Sequence, residues 1–350
     1  MQNRHVQDVK PFTIFLRGGA GTGKSHLIKC IHYEFDKILT AQKENPDSPI
    51  VLLVAYTGTA AYNIGGQAIH SALGINKSMG KSLVEEQANT LRCKLQNLQL
   101  LIIDEVSMVS TPMLNLIHSR LQQIKQPSSQ SAVFGNINIL AVGDFYQVPP
   151  VAAKPLTSNY ASLTDLWSNF CIWELNEVVR QKGDHQFASL LNRLRTRKRN
   201  DPISDADNSL LESRVIHPSE AGYPQNDLHI VATHKQLDKH NELMLEKIGH
   251  KNTVLDIEAA DIVSDINKQK TYKRREPLLQ ENTNLPSYLR LCVDARVMLT
   301  ANIDVQDGLT NGAMGTVTGI INGRKPLGQP EAMCVLFDDV KIGDLSSEKM

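Results

Sequence analysis

Short apolar runs recur along the first half of the chain, and a polar or glycine-rich segment follows each one. The four runs are FTIFLR, IVLLVA, LQLLIIDE and INILAVGD, which occupy Phe12–Arg17, Ile50–Ala55, Leu98–Glu105 and Ile137–Asp144. Between them, apolar residues recur at the spacing of one helix face, as in Leu114, Ile117, Leu121 and Ile124. Nearly continuous apolar strands that alternate with helices predict an α/β fold whose parallel sheet is covered on both faces.

The second half of the chain has a different pattern. Ile172–Asn176 and Leu228–His234 predict strands, and the residues after each predict an amphipathic helix. Residues 250–285 are polar and irregular, which is typical of a linker. From about Leu289 onward, the segments LRLCVDARVMLT, AMGTVTGII and AMCVLFDD alternate like strands, and Asn311-Gly312 supplies a tight turn. We therefore predict an α/β domain over residues 1–170, a partial second one over 171–250, a polar linker over 251–288 and a β-rich segment over 289–350.

Composition restricts the possible classes of protein. The chain of 350 residues is long enough for about two domains, and its 41% hydrophobic and 21% charged content excludes collagen, a coiled coil and wholesale disorder. Its 37 basic and 37 acidic side chains cancel, so there is no overall basic field to attract nucleic acid. A nucleic-acid partner would have to be held by local patches or by backbone donors.

Cysteine usage and hydropathy indicate the compartment. Five scattered cysteines without a C-x-x-C pair predict reduced thiols in an intracellular protein, and disfavour a disulfide framework or a zinc site. We expect no membrane span, because no apolar run approaches the ~18 residues that cross a bilayer. Residues 1–10 lack the apolar core of a secretory signal.

A glycine-rich segment directly after the first apolar run carries the most specific signal in the chain. It is GGAGTGKS, that is Gly18, Gly19, Ala20, Gly21, Thr22, Gly23, Lys24 and Ser25, and a helical pattern follows it. Glycines let successive backbone N–H groups surround a phosphate, and the helix N-terminus adds partial positive charge. Lys24 would neutralise the β- and γ-phosphates of a nucleoside triphosphate, and the Ser25 hydroxyl would bind Mg2+. The segment predicts a P-loop NTPase.

Polar residues at two further strand ends complete the predicted site. Asp104 and Glu105 end the third apolar run, where Asp104 would bind Mg2+ and Glu105 would orient or deprotonate the attacking water. Gln147 in GDFYQVPPV is a candidate sensor of the γ-phosphate, because an amide can accept from water and donate to phosphate. Taken alone, the two carboxylates could instead cap a surface loop, and GDFYQVPPV could be an ordinary proline-rich loop.

Five motifs in a fixed order resemble those of the Pif-type DNA helicases, which are RecD-like members of superfamily 1. The motifs are GGAGTGKS, TGTAAYNIGGQAIHS, IIDEVSMV, GDFYQVPP and EVVRQKGDHQFASLLNRLR. In addition, Val297–Val317 resembles the segment that leads into the family's small β-barrel, especially in relatives carried on Helitron-type mobile elements. The resemblance covers roughly residues 11–342 and implies a RecA-like first domain, a partial second RecA-like domain and the start of the barrel.

The resemblance also implies an activity. Members of the family hydrolyse ATP between two RecA-like domains, move 5′ to 3′ on single-stranded DNA and open duplex at junctions. By position, Gly18 to Ser25 and Asp104 would bind ATP and Mg2+, and the catalytic set would be Lys24, Glu105, Gln147 and Arg180. Arg180 matches the arginine that the second domain presents to the γ-phosphate, which would couple hydrolysis to closure of the domains. Without the resemblance, Arg180 would be taken for a surface arginine before a helix.

For the DNA strand, the resemblance points to four neutral donors after the second apolar run: Thr57, Thr59, His70 and Ser71. Tyr56 stands where the family usually has a proline and Thr59 where a basic residue is frequent, and both differences weaken the predicted phosphate contacts. The basic runs Arg193–Arg199 and Lys268–Arg275, the latter with Tyr272 as a stacking platform, would either follow the DNA strand or be solvated charges.

Some segments of the family are missing from the sequence. No segment resembles the two last family motifs, T-x-H-K-S-Q-G and A-L-S-R, and only seventeen residues precede Gly18, too few for the stretch that would read adenine. We therefore expect a chain truncated at both ends that lacks a second catalytic arginine, and removing such an arginine typically costs about 10³ to 10⁵ in turnover.

Three functional hypotheses follow. The first is an ATP-dependent DNA helicase, which the family places in DNA repair, recombination, replication or telomere maintenance. The second is an ATP- and DNA-binding module without unwinding activity, and the third, which the DNA motifs disfavour, is another P-loop ATPase. The family implies a nuclear location, with the mitochondrion as the alternative. The sequence makes no prediction of the oligomeric state.

Overall fold

Two units make up the chain, Met1–Asp207 and Asn208–Met350. A computed structural model describes residues 10–39, 47–75, 83–126, 132–158, 166–180, 183–198, 200–225, 227–264, 270–274, 286–322 and 330–344. No helix in these ranges combines the length and the apolar character that crossing a bilayer requires.

The first unit is built on a parallel sheet of six strands in the order β3-β2-β4-β5-β1-β6. Every neighbouring pair in this sheet is parallel. The strands are β1 (Thr13–Gly18), β2 (Val51–Ala55), β3 (Gln67–Ala68), β4 (Leu100–Asp104), β5 (Asn138–Gly143) and β6 (Cys171–Leu175). The structure thereby confirms the predicted α/β class and the four strands that the apolar runs indicated.

The central strands are buried on both faces of the sheet. All five residues of β2 and all five of β4 are buried, and alternate residues belong to two different hydrophobic clusters. Leu101 and Ile103 pack on one face, whereas Leu100 and Ile102 pack on the other. This double burial explains why the strands are continuous apolar runs without alternating polar positions.

Helices lie between or after the strands, and apolar residues of the first five pack on the two faces of the sheet. They are α1 (Lys24–Leu39), α2 (Gly58–Ile64), α3 (Ile69–Ala72), α4 (Glu85–Lys94), α5 (Thr111–Lys125) and α6 (His185–Thr196), and α7 (Asp205–Glu212) follows them along the chain. The start of α5 is set by Ser110, whose Oγ accepts a hydrogen bond of 3.3 Å from the Met113 N–H. Pro112 lies in the first turn of α5, where a missing N–H costs nothing.

In its described residues, the second unit contains the long helix α8 (His234–Gly249) and small antiparallel sheets. β7 (Leu255–Glu258) pairs with β10 (Tyr288–Leu291), and β8 (Ala260–Ser264) pairs with β9 (Lys270–Arg274). A three-stranded sheet has the order β11-β12-β13, formed by Arg296–Met298, Met314–Asn322 and Pro330–Phe337. The β-rich pattern predicted beyond Leu289 is confirmed, and Gly312 lies in a turn with φ of 98°.

The strand β6 corrects one expectation. We expected the second domain to begin at residue 171, but β6 pairs with β1 over the whole of Cys171–Leu175 and completes the first sheet. The apolar content of β6 could not reveal its place, because Ile172 and Trp173 are 67% and 64% exposed at the sheet edge.

Two further expectations differ from the structure. Leu228–His234, predicted as a strand, has no strand partner among the described residues, and Ile230 is 92% exposed. A strand forms only where a neighbour takes up its backbone hydrogen bonds, which an apolar run alone does not supply. The expected linker over 251–288 contains β7, β8 and β9. In β7 the sequence Leu-Asp-Ile-Glu alternates between apolar and polar residues, a short pattern hidden by the charged residues around it.

Candidate nucleotide-binding site

The predicted phosphate-binding and acidic residues lie at one edge of the first sheet. The glycine-rich loop follows β1, Asp104 and Glu105 lie at the end of β4, and the segment with Gln147 follows β5. In the sheet, β5 lies between β4 and β1. Because the strands are parallel, their carboxyl ends meet at the same edge, where open α/β sheets bind their ligands.

The glycine-rich loop is held in a turn that its glycines permit. Gly21 and Gly23 have φ values of 77° and 85°, which residues other than glycine rarely adopt. A β-carbon on Gly18 would lie 2.5 Å from the Thr22 Oγ1, so this position has no room for a side chain. The Thr22 Oγ1 donates a hydrogen bond of 2.9 Å back to the Gly19 carbonyl. These contacts fix the conformation of the loop.

The Lys24 side chain folds over this loop. Its Nζ donates hydrogen bonds of 2.9 Å to the carbonyls of Gly18 and Gly19. Burial lowers the pKa of the Lys24 ammonium. Three carboxylates oppose this shift through their charge, those of Asp144, Glu105 and Asp104. The structure thus brings the lysine and the strand-end acids within electrostatic reach of one another.

Asp104 and Glu105 form an acidic pair in which Asp104 is buried and Glu105 is half-buried. The Asp104 Oδ1 accepts a hydrogen bond of 2.9 Å from the Glu105 N–H, and Asp104 is 6% exposed. Burial raises the pKa of the Asp104 carboxyl, against the effect of that hydrogen bond and of the Lys24 charge. Burial and the Asp104 charge raise the pKa of Glu105. Glu105 also has a left-handed backbone conformation, with φ of 52°, which is unusual for a residue other than glycine. This conformation sets the direction in which the Glu105 side chain leaves the main chain.

Two of these residues have the chemistry that a divalent cation requires. Ser25 is the second residue of α1, and Asp104 ends β4. A hydroxyl and a carboxylate are oxygen ligands of the type that Mg2+ prefers, together with waters and substrate phosphates. The donor set therefore fits Mg2+ bound with a nucleotide.

Gln147 lies in a turn that Asp144 organises. The Gln147 N–H donates to the Asp144 carbonyl at 2.9 Å, and the Tyr146 N–H donates to the Asp144 Oδ1 at 3.2 Å. The Asp144 side chain is fully buried. Its Oδ2 accepts a hydrogen bond from the Nη1 of Arg195, which lies in the last turn of α6.

Arg195 is a site residue that the sequence analysis did not identify. It was part of the basic run Arg193–Arg199, which we considered for DNA contacts, but its guanidinium lies beside the glycine-rich loop. A β-carbon built on Gly19 would lie 3.2 Å from the Arg195 Nη1. An acidic residue at the end of a buried strand, such as Asp144, predicts that a basic side chain lies nearby. The residues around position 195 do not indicate that Arg195 is that side chain.

Arg180 differs from its predicted place. We expected the second domain to present it, but Arg180 lies in the first unit and is exposed. Its backbone N–H and that of Val179 donate to the Gly21 carbonyl at 3.1 and 2.8 Å. This segment is therefore attached to the glycine-rich loop through its main chain.

A cavity of about 670 Å³ adjoins the glycine-rich loop. Gly19 and Thr22 form one wall, the end of β6 and residues 176–178 form another, and one face of α6 forms the third. Its size falls in the range of small-molecule sites, about 300–1,000 Å³. The cavity provides space beside the loop for the part of a ligand that extends away from its phosphates.

The predicted DNA-binding residues lie at the same edge of the sheet, after β2 and β3. Thr57 caps α2, since its Oγ1 accepts a hydrogen bond of 3.2 Å from the Ala60 N–H. Thr59 and Ser71 are exposed. His70 is half-buried against Tyr56, with ring centroids 5.9 Å apart, and burial lowers the pKa of its imidazole.

The two basic runs have different outcomes. The Arg193 guanidinium donates to both carboxylate oxygens of Asp207, at 2.8 and 2.5 Å, so this charge is neutralised locally. Arg199 lies outside the described residues. Of Lys268–Arg275, only the backbone of strand β9 is described, and the stacking role of Tyr272 stays a prediction.

Comparison with known families agrees with this geometry. A family model described as PIF1-like helicase matches residues 3–204, which is more than half of the chain. A second one, described as the 2B domain of the DNA helicase Pif1, matches residues 279–320.

Individual relatives are similar over most of the chain. The ATP-dependent DNA helicase PIF1 of Candida albicans is 31% identical over 326 residues, covering 89% of this chain and 33% of that protein. A crystal structure of Pif1 helicase from Candida albicans matches with a TM-score of 0.65 and 26% identity, covering 94% of this chain and 73% of the other. Bacteroides Pif1 bound to single-stranded DNA matches with a TM-score of 0.63 and 25% identity, covering 94% and 69%.

The chain spans about a third of the length of that curated Candida relative. The matched structures confirm the predicted RecA-like P-loop fold of the first unit. Because the first family match extends over more than half of the sequence and includes the whole site at the edge of the parallel sheet, the chain belongs to the PIF1-like helicase family.

Proposed function

We propose that the chain binds and hydrolyses ATP at the edge of the first sheet and uses the hydrolysis to move on DNA. One observation carries the proposal: Lys24, half-buried over the glycine-rich loop, lies within electrostatic reach of the acids that end β4. A cation and two carboxylates beside a glycine-rich loop suit a phosphate chain and an attacking water. The name of the Candida relative, an ATP-dependent DNA helicase, supports the assignment.

Each residue of the site has its own proposed role in hydrolysis. The amides from Gly18 to Ser25 hold the phosphates, and Lys24 neutralises their charge. Ser25 and Asp104 would hold Mg2+, which supplies charge neutralisation to the β- and γ-phosphates when it is bound. Glu105 accepts the proton of the attacking water, a role that its raised pKa suits. Gln147 senses the γ-phosphate, and Arg180 completes the catalytic set.

We further propose that single-stranded DNA is the track and that duplex junctions are the sites of unwinding, with movement 5′ to 3′. Thr57, Thr59, His70 and Ser71 would contact the strand, at the sheet edge next to the nucleotide site. Support comes from the single-stranded DNA in the Bacteroides Pif1 structure. DNA repair, recombination, replication and telomere maintenance are the processes that such an activity would serve, and the nucleus, or alternatively the mitochondrion, is the proposed compartment.

A second candidate function is an ATP- and DNA-binding module that does not unwind duplex. It is favoured by the second unit, whose described sheets are antiparallel with two or three strands. A motor closes two RecA-like domains on one nucleotide, and the described part of the second unit contains no parallel sheet for that purpose.

ATP hydrolysis with and without single-stranded DNA tests the proposal, with Lys24→Ala as the blank. The helicase proposal predicts turnover that DNA stimulates and that Lys24→Ala abolishes, together with displacement of a strand from a forked duplex. Nucleotide and DNA binding without turnover would support the module. Turnover that is equal in wild type and Lys24→Ala would refute both.

A further inference from the structure

Arg195 and Asp144 form an ion pair within the site, and the proposed hydrolysis gives this pair no role. The Asp144 side chain is fully buried, and that of Arg195 is 25% exposed. Arg195 Nε and Nη2 also donate to the Asn192 Oδ1 at 3.2 and 2.9 Å. Both ends of the pair are thus anchored, the acid after β5 and the arginine in the last turn of α6.

The guanidinium lies directly against the glycine-rich loop. A β-carbon on Gly19 would be 3.2 Å from its Nη1 and 3.3 Å from its central carbon. The Gly19 carbonyl accepts from the Lys24 Nζ, so two cations lie beside Gly19.

The guanidinium retains capacity for another partner. Its hydrogen bonds to Asp144 and Asn192 use three of its five N–H groups. The Tyr146 ring covers one face, with the guanidinium carbon 5.2 Å from the ring centroid. A planar fork held at one edge and on one face presents its remaining N–H groups in a fixed direction, which suits phosphate oxygens.

We propose that Arg195 is a further nucleotide-binding residue, which contacts the phosphate chain of the bound nucleotide, and that Asp144 is the residue that positions it. The inference rests on the proposed ATP binding. Asp144 also fixes the turn with Gln147, through the Tyr146 and Gln147 N–H groups. Phosphate bound by Arg195 therefore acts directly on the acid that orients the predicted γ-phosphate sensor.

Equilibrium titration with a fluorescent, non-hydrolysable ATP analogue and with AMP tests this role. Arg195→Ala and Arg195→Lys should each weaken binding of the triphosphate analogue about 10- to 100-fold, the worth of a hydrogen bond to a charged group, and should weaken AMP binding less. Arg92→Ala is the matched control, since Arg92 is 22% exposed and pairs with Glu85 on α4, away from the loop. It should bind like wild type.

A double variant distinguishes two roles of Arg195, contact with the phosphates of the nucleotide and neutralisation of the Asp144 charge alone. Asp144→Asn combined with Arg195→Met removes both charges, so it also tests the proposal if the single alanine variant fails to fold. The proposal predicts that the double variant binds the triphosphate analogue as weakly as Arg195→Lys. Wild-type affinity in the double variant, or affinity within twofold of Arg92→Ala in the single ones, would overturn it. Failure of wild type itself to bind the analogue would instead refute the proposed function.

Discussion

The two units of the chain bury their apolar residues to very different degrees. In the first unit, β2 and β4 are buried over their whole length, and two hydrophobic clusters cover the two faces of one sheet. In the second, the described residues form sheets of two or three strands, and large apolar side chains are exposed, among them Ile230 at 92% and Val340 at 81%.

This difference shows where a precise site can be built. A doubly covered sheet holds the ends of its central strands rigidly, because these strands are fixed by hydrogen bonds on both sides and by packing on both faces. Small antiparallel sheets with little buried surface open more easily. The nucleotide site lies on the first kind of scaffold, so its chemistry should depend on substitutions in the first unit and tolerate those in the second.

The largest expected effect comes from Glu105→Gln, which removes the proposed base and keeps the shape of the side chain. Turnover of ATP should fall about 10²- to 10⁴-fold, the usual contribution of a general base, while nucleotide binding is retained. Steady-state ATPase assays measure the loss. The same substitution at the exposed Glu331 of the second unit should leave turnover unchanged, and an equal loss at Glu331 would break the comparison.

Leu101→Ala should destabilise the first unit by about 2 to 5 kcal/mol, because Leu101 is 0% exposed in a central strand and its removal leaves a cavity. Ile230→Ala removes a side chain of similar size that is 92% exposed, and it should change the free energy of unfolding by less than about 0.5 kcal/mol. Urea unfolding of both variants measures the pair. A similar loss of unfolding free energy in the two variants would show that the difference in burial between Leu101 and Ile230 does not affect stability.

A smaller effect is expected where a single methyl group is added. A β-carbon on Gly66 would lie 2.5 Å from the Leu53 carbonyl oxygen, so Gly66→Ala should cost about 1 to 3 kcal/mol of stability through displaced backbone. In β12 of the second unit, the nearest contact of a β-carbon on Gly319 would be 3.9 Å away. Gly319→Ala should therefore be tolerated. Thermal unfolding of the two variants compares them, and a Gly66→Ala protein as stable as wild type would contradict the packing described.

Features that depend on neighbouring residues were predictable from the sequence. The strands β1, β2, β4 and β5 are continuous apolar runs, and the glycine-rich loop and the Asp104-Glu105 pair directly follow two of them. The parallel arrangement then brings these segments to one edge without further information.

Features that depend on distant partners were not predictable. The place of β6 is set by its pairing with β1, more than 150 residues earlier in the chain. The ion pair of Asp144 and Arg195 joins residues 51 positions apart. Arg195 lies within a run of basic residues, and the sequence does not indicate which of them pairs with Asp144. Leu228–His234 has the composition of a strand but no partner in the described part of the chain, and composition does not report partners.

The proposed nucleotide site depends above all on the loop from Gly18 to Ser25 binding the phosphates of a nucleotide. Titration of wild type, Glu105→Gln and Lys24→Ala with the non-hydrolysable ATP analogue tests it most directly. We expect saturable binding for wild type and Glu105→Gln, and affinity about 10- to 100-fold weaker for Lys24→Ala, the worth of a hydrogen bond to a charged group. Equal affinity of all three proteins would contradict it.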